Sequence, residues 1–198
     1  MDGLCRTRLP DPADDERGVL LCAPREGGKS TLAAYLVTQG FELLTDEPAL
    51  LDLDRCAVSP LDLPISLKEG SWAVLRHEWP QMAGTPTHVR SDGVKIRLLH
   101  PPRARLSALP RRITHIAFPK YCASSEAYTE QLSPLRTVKL LNEGGMILAR
   151  HFARDTFEAF LRLVCITPAY VVRYASVQEA SRMIGKLPFG IESSRVQS

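Results

Sequence analysis

Five residues without a charged or hydroxyl side chain, Gly18-Val-Leu-Leu-Cys22, run directly into Ala23-Pro-Arg-Glu-Gly-Gly-Lys-Ser-Thr31. This junction restricts the fold more than any other part of the chain. A short unbroken apolar run is the signature of a strand buried on both faces, which needs helices on both sides of a largely parallel sheet. From Ser30 the spacing turns helical, with Leu32, Ala33, Leu36 and Val37 on one face and Gly40 as a C-terminal stop. Phe41-Glu-Leu-Leu-Thr45 reads as a second strand that ends in Asp46-Glu47. The unit is strand, glycine loop, helix, strand, and it predicts an α/β fold with a mixed sheet and flanking helices.

A loop of this kind suits phosphate. Small residues let successive backbone N–H groups point at an anion, the helix start adds its positive end, and a lysine neutralises terminal phosphates. Glu26, Gly27, Gly28, Lys29, Ser30 and Thr31 are the candidate nucleotide-binding residues, with ATP the preferred ligand. The G-x-x-x-x-G-K-[S/T] pattern is met except at Ala23, where a first glycine is expected. Glu26 adds a negative charge beside the phosphates. Lys29 is expected at the solvent-facing mouth of the loop, and the Ser30 hydroxyl is suited to Mg²⁺. Thr31 also fits an ordinary helix start.

If the two strands run parallel, Asp46 and Glu47 emerge at the edge that carries the loop. One carboxylate would then hold Mg²⁺ or its water, and the other would accept a proton from an attacking hydroxyl. Alternation along a strand turns neighbouring side chains to opposite faces, so which acid does which stays open. An acidic turn before Pro48 is the plain alternative. Lys68 lies between turn signals within reach of a phosphate, but taken singly it is only a lysine. His77, His88, His100, His115 and His151 have no metal-ligand spacing.

The remaining chain fits one domain, with a polar segment over residues 1–17, the domain over 18–190 and a frayed tail over 191–198. A net charge of +3 is too small to argue for nucleic acid. Residues 93–125 carry no Asp or Glu, however, so Lys95, Arg97, Arg103, Arg105, Arg111, Arg112 and Lys120 predict a local positive field. That stretch lacks interleaved aromatics apart from Phe118 and Tyr121. Five scattered cysteines suggest neither a disulfide framework nor a zinc site, and Cys22 and Cys165 read as small core residues. No apolar run approaches 18 residues and no signal-like start is present, so the expected setting is the reducing cytoplasm, away from membranes.

Elsewhere, short strands are predicted over residues 49–53, 64–67, 72–75, 93–99, 113–118 and 169–174, with residues 100–112 a loop. Asp155-Thr-Phe-Glu158 predicts a helix start followed by a stripe of Phe157, Phe160, Leu161 and Val164. Ser176-Val-Gln-Glu179 is a second capping box, opening a helix to about Lys186.

The order of these motifs resembles the HPr kinase/phosphorylase superfamily, and most closely its HPr-kinase-related kinase A branch. The resemblance covers residues 19–184 and rests on Cys22-Ala-Pro-Arg-Glu-Gly-Gly-Lys-Ser-Thr-Leu-Ala-Ala34, Gly40-Phe-Glu-Leu-Leu-Thr-Asp-Glu47, Pro64-Ile-Ser-Leu-Lys68, Leu99-His-Pro-Pro102, Phe118-Pro-Lys-Tyr121 and residues 174–180. It implies a phosphate-loop domain like that of HPr kinase and phosphoenolpyruvate carboxykinase, and ATP-Mg²⁺-dependent phosphorylation of a serine. By that resemblance Lys29 and Ser30 bind the triphosphate and Mg²⁺, Asp46 is the base towards the acceptor and Glu47 its acidic neighbour. It also implies a protein or peptide acceptor and a homo-oligomer. Family members carry a His shortly before the loop, whereas residues 1–17 contain none. A non-catalytic nucleotide-binding module and a small-molecule kinase or ATPase are the rival readings.

Overall fold

The computed structural model describes residues 4–6, 18–24, 27–46, 48–124, 126–144 and 153–188. In chain order the elements are β1 (Leu4–Arg6), β2 (Gly18–Leu21), α1 (Lys29–Thr38), β3 (Glu42–Thr45), β4 (Leu50–Asp52), β5 (Ala57–Ser59), β6 (Ile65–Lys68), α2 (Glu69–Leu75), β7 (His88–Val89), β8 (Lys95–Leu99), β9 (Arg111–Arg112), β10 (His115–Tyr121), β11 (Tyr128–Gln131), α3 (Pro134–Glu143), α4 (Arg154–Ile166), β12 (Ala169–Tyr174) and α5 (Val177–Gly185). The architecture is mixed α/β, with sheets flanked by helices.

Six strands form the main sheet in the order β11-β12-β10-β2-β1-β3, and two three-stranded sheets, β4-β5-β9 and β6-β8-β7, stand beside it. Strands β2, β10 and β12 are parallel, with His115 opposite Val19 and Ile116 opposite Ala169. Strand β1 pairs antiparallel with both β2 and β3, so β3 runs in the same direction as β2. The C-terminal ends of β2, β3, β10 and β12 therefore meet along one edge.

Alternation along β2 divides the core. Val19 and Leu21 pack on one face with Leu32, Leu36, Val172, Tyr174 and Ile184, under α1 and α5. Leu20 and Cys22 pack on the other with Ile116, Phe118, Leu141, Phe160 and Val164, under α3 and α4. Each fully buried Leu or Phe contributes about 1.5–3 kcal/mol relative to exposure, and this strand holds both layers together.

Several elements differ from the sequence expectation. Residues 72–75 are the end of helix α2, not a strand; Leu75 is fully buried, and Trp72 donates its indole N–H to the Leu67 carbonyl at 3.0 Å. Four residues are too few to separate a period of 2 from one of 3.6. The loop over 100–112 contains a 3₁₀ turn, Arg103–Arg105, and the short strand β9. Helix α4 begins after Ala153 with no side-chain cap, so Asp155 lies in its first turn instead of capping it. Its buried face is Ala159, Phe160, Leu163 and Val164, while Phe157 and Leu161 are exposed. Apolar residues run most of the way round α4, and packing against the sheet and α3 selects among them. Cys165 sits on the outer side of α4 and is exposed, unlike buried Cys22. Strand β12 has the predicted boundaries, and Ser176 accepts from the Glu179 N–H at 3.2 Å as the capping box requires. The reciprocal Glu179 carboxylate reaches the N–H of Ala175. The tail after Gly190 lies outside the described residues.

Candidate functional site

The glycine loop leaves β2 at the shared C-terminal edge. Cys22 N–H donates to the Ala117 carbonyl at 2.9 Å, carrying the β2–β10 pairing one residue further, and Gly27 N–H closes a turn on the Pro24 carbonyl at 3.0 Å. A Cβ on Gly27 would lie 2.6 Å from the Ala23 Cβ and 3.0 Å from the Pro24 oxygen. Gly27 is thus forced by close packing, and Ala23 has to be small for the same reason. Gly28 caps α1 at φ 78°, a left-handed conformation that side chains disfavour, and no side chain caps the helix. The positive end of α1 meets the loop at this point.

Lys29 is only 6% exposed, and its ammonium donates to the carbonyls of Ala23 at 2.7 Å and Pro24 at 3.3 Å. The expected position at the solvent-facing mouth is corrected by this. The loop turns its carbonyls inward, and a buried ammonium goes where acceptors are.

One residue further, the Ser30 hydroxyl donates to Asp46 Oδ2 at 3.1 Å. The same carboxylate oxygen accepts the Ser66 backbone N–H at 3.1 Å, and Asp46 is only 2% exposed. Asp46 follows β3 directly, so the shared direction of β2 and β3 brings it to the edge that carries the loop, where it meets the Ser30 hydroxyl. Ser66 belongs to β6, the edge strand of a second sheet, so the carboxylate joins the two sheets. Thr31 Oγ1 is bonded to Ser71 Oγ at 2.6 Å, which ties the second residue after Lys29 to α2. Glu26 and Glu47, with Arg25, lie outside the described residues.

Near Gly28 stands Tyr174, the last residue of β12. Its hydroxyl is 3.3 Å from where a Cβ on Gly28 would be, and its ring centroid is 5.9 Å from that of Tyr121. Burial pushes the Tyr174 hydroxyl up to about 12, with a smaller contribution from Tyr121.

Other candidates go elsewhere. Lys68 is half-buried and precedes α2 as its N-cap residue. His115 is buried with its ring nitrogens against Thr114 Oγ1 and the Pro188 carbonyl, a structural role. His77, His88 and His100 are exposed and His151 lies outside the described residues. Among the described residues no group of three His, Cys, Asp or Glu side chains converges as a metal site. Three members of the basic stretch have partners: Lys95 reaches Glu69 at the surface, Arg97 lies over the Trp72 ring at 4.1 Å, and Arg105 bonds the Gly40 carbonyl, while Arg103, Arg112 and Lys120 are exposed. No described helix is long and apolar enough to cross a membrane.

Sequence reasoning missed Ser66, Ser71 and Tyr174. Ser66 acts through its backbone N–H, which every residue but proline carries, so its identity holds no signal. Tyr174 looked like an ordinary strand terminus. No protein-family model matches the chain, and no curated protein matches it.

Proposed function

We propose that this chain is an ATP-dependent kinase that phosphorylates a serine, or another hydroxyl, of a protein or peptide. The observation that carries the reading is the Ser30–Asp46 contact at 3.1 Å beside the Gly27-Gly28-Lys29 turn, at the shared C-terminal edge of parallel strands. The motif order that resembles the HPr-kinase-related kinase A branch supports the same assignment and implies a phosphate-loop domain.

In this reading the N–H groups around Gly27 and Gly28 and the uncapped start of α1 receive the phosphates. Lys29 exchanges its two carbonyl acceptors for phosphate oxygens, which bear full charge and make stronger bonds. Ser30 Oγ is a hard oxygen donor that would hold Mg²⁺, and Asp46 Oδ2 stands 3.1 Å from it. An Mg²⁺ ion held there with ATP would supply charge neutralisation at the phosphate oxygens. Glu47 follows immediately in sequence as an acid for that ion.

Asp46 orients the acceptor hydroxyl and takes its proton. The acceptor oxygen bonds to the γ-phosphorus, the bond from that phosphorus to the β–γ bridging oxygen breaks, and ADP leaves. Protein groups mainly position and stabilise in such a loose transition state, and a general base adds about 10²–10⁴-fold.

Incubation with labelled ATP and Mg²⁺, alongside proteins and peptides encoded nearby, tests the assignment. Label on a hydroxyl of one acceptor is the expected result. Binding of ATP with neither transfer nor hydrolysis would replace it with a non-catalytic nucleotide module, and hydrolysis alone with an ATPase.

A further inference from the structure

We propose that Tyr121, braced by Tyr174, is the surface on which the purine ring of the nucleotide stacks. The inference rests on the nucleotide reading above and adds the element that would recognise the base.

Strand β10 is buried from His115 to Pro119, then exposes both Lys120 and Tyr121. Consecutive strand residues point to opposite faces, so exposure of both means that the strand end rises past the layers covering either side. Tyr121 shares the parity of Ala117, which packs in the core layer under α1 and α5. Its ring therefore stands on the sheet face from which α1 and the glycine loop project. It is 60% exposed, a large aromatic surface at the edge that collects the loop and Asp46.

Tyr121 is also held. Its register partner on β12 is Tyr174, a buried residue whose ring is tilted 59° to it. A tilted aromatic pair fixes one ring while leaving a face of the other open, which lowers the ordering cost of a stacked ligand. The Tyr174 hydroxyl in turn comes close to the loop at Gly28, 3.3 Å from where a Cβ there would lie. The two rings thus extend from the loop outward.

The order of strands gives the direction. From β3, which delivers Asp46, the sheet continues through β1 and β2, which delivers the loop, to β10, which delivers Tyr121. Three strand spacings separate the two ends, about 14 Å. A nucleoside triphosphate with its terminal phosphate beside Ser30 and Asp46 and its inner phosphates on the loop would carry its base towards β10. An exposed tyrosine at a strand end that meets no ligand is the competing explanation.

Calorimetric titration of Mg²⁺-ATP, Mg²⁺-CTP and inorganic tripolyphosphate with Mg²⁺ separates these, using wild type, Tyr121→Ala and Tyr121→Trp, each checked for an unchanged melt. Aromatic stacking by a base predicts an ATP affinity about tenfold weaker in Tyr121→Ala. Tripolyphosphate affinity should be unchanged, the preference for ATP over CTP should shrink, and Tyr121→Trp should retain ATP. Wild-type ATP affinity in Tyr121→Ala, or equal loss of ATP and tripolyphosphate, would overturn the stacking role while leaving the loop intact. Wild-type protein that binds neither ligand would refute the nucleotide reading, and the inference with it.

Discussion

Replacing Asp46 by Asn exchanges one carboxylate oxygen for an amide nitrogen and removes a negative charge from a residue that is 2% exposed. The amide oxygen can still accept from Ser30 Oγ and Ser66 N–H, which both now meet Oδ2 at 3.1 Å. Each bond loses its charge assistance, a cost of about 1 kcal/mol apiece. The buried charge disappears at the same time, and relief of its desolvation offsets part of that cost. Through these two bonds stability should therefore fall by about 2 kcal/mol, a few degrees in the melting midpoint for a chain of this size. Catalysis responds on another scale. Loss of a general base predicts single-turnover transfer from labelled ATP slower by about 10²–10⁴-fold, with Mg²⁺-ATP affinity unchanged or slightly raised. If Asp46 holds the metal instead, affinity and transfer fall together and added Mg²⁺ restores part of both. Transfer at the wild-type rate refutes both roles and leaves Asp46 a structural acid; the assay then passes to Glu47.

Lys29→Ala should abolish most of the rise in melting midpoint that Mg²⁺-ATP produces. Because the ammonium is buried against Ala23 and Pro24, it should also lower ligand-free stability by about 1–2 kcal/mol. Gly27→Ala forces the 2.6 Å contact with the Ala23 Cβ, so it should cost about 1–3 kcal/mol and weaken ATP binding. Adding Ala23→Gly to it should recover part of the loss in a thermal melt, and no recovery would place the strain elsewhere. Tyr174 has its pKa raised from 10.0 to about 12 by burial, so the folded state holds this proton more tightly than the unfolded chain does. Its contribution is complete below pH 10 and is lost between pH 10 and about 12. A Tyr174→Phe variant should lose up to about 2–3 kcal/mol less than wild type over that window in denaturant titrations.

Much of the fold around the site could be read from residue spacing. The change of period at Ser30 marked α1, Gly40 its end, and the parallel strands that flank it put Asp46 beside Ser30. Ser176 and Glu179 announced α5 because a capping box is a local bond whose partners lie three residues apart. What stayed hidden depended on partners distant in sequence. The inner face of α4 was ambiguous because its apolar residues exceed one stripe, and packing against the sheet and α3 decides. Strand β1 was not anticipated, since three residues inside a polar segment carry no period. Burial of Lys29 followed from carbonyls that the loop itself turns inward, a backbone property with no residue code. The Ser66 N–H on Asp46 was illegible for the same reason.

That Ser66 bond gives the protein an internal reporter. Strand β6 lies at the edge of its sheet, and its residue 66 N–H is turned away from β8 towards a carboxylate delivered by another sheet. Its protection from hydrogen exchange therefore depends on one side chain and on the two sheets staying in register, rather than on a strand ladder. Opening of the β6-β8-β7 unit would release this proton without disturbing the six-stranded sheet, so exchange at a single amide measures how often the site is assembled. Any cation or donor hydroxyl that draws on the Asp46 carboxylate competes for the same oxygen, and the exchange rate at residue 66 would register its arrival in the absence of turnover.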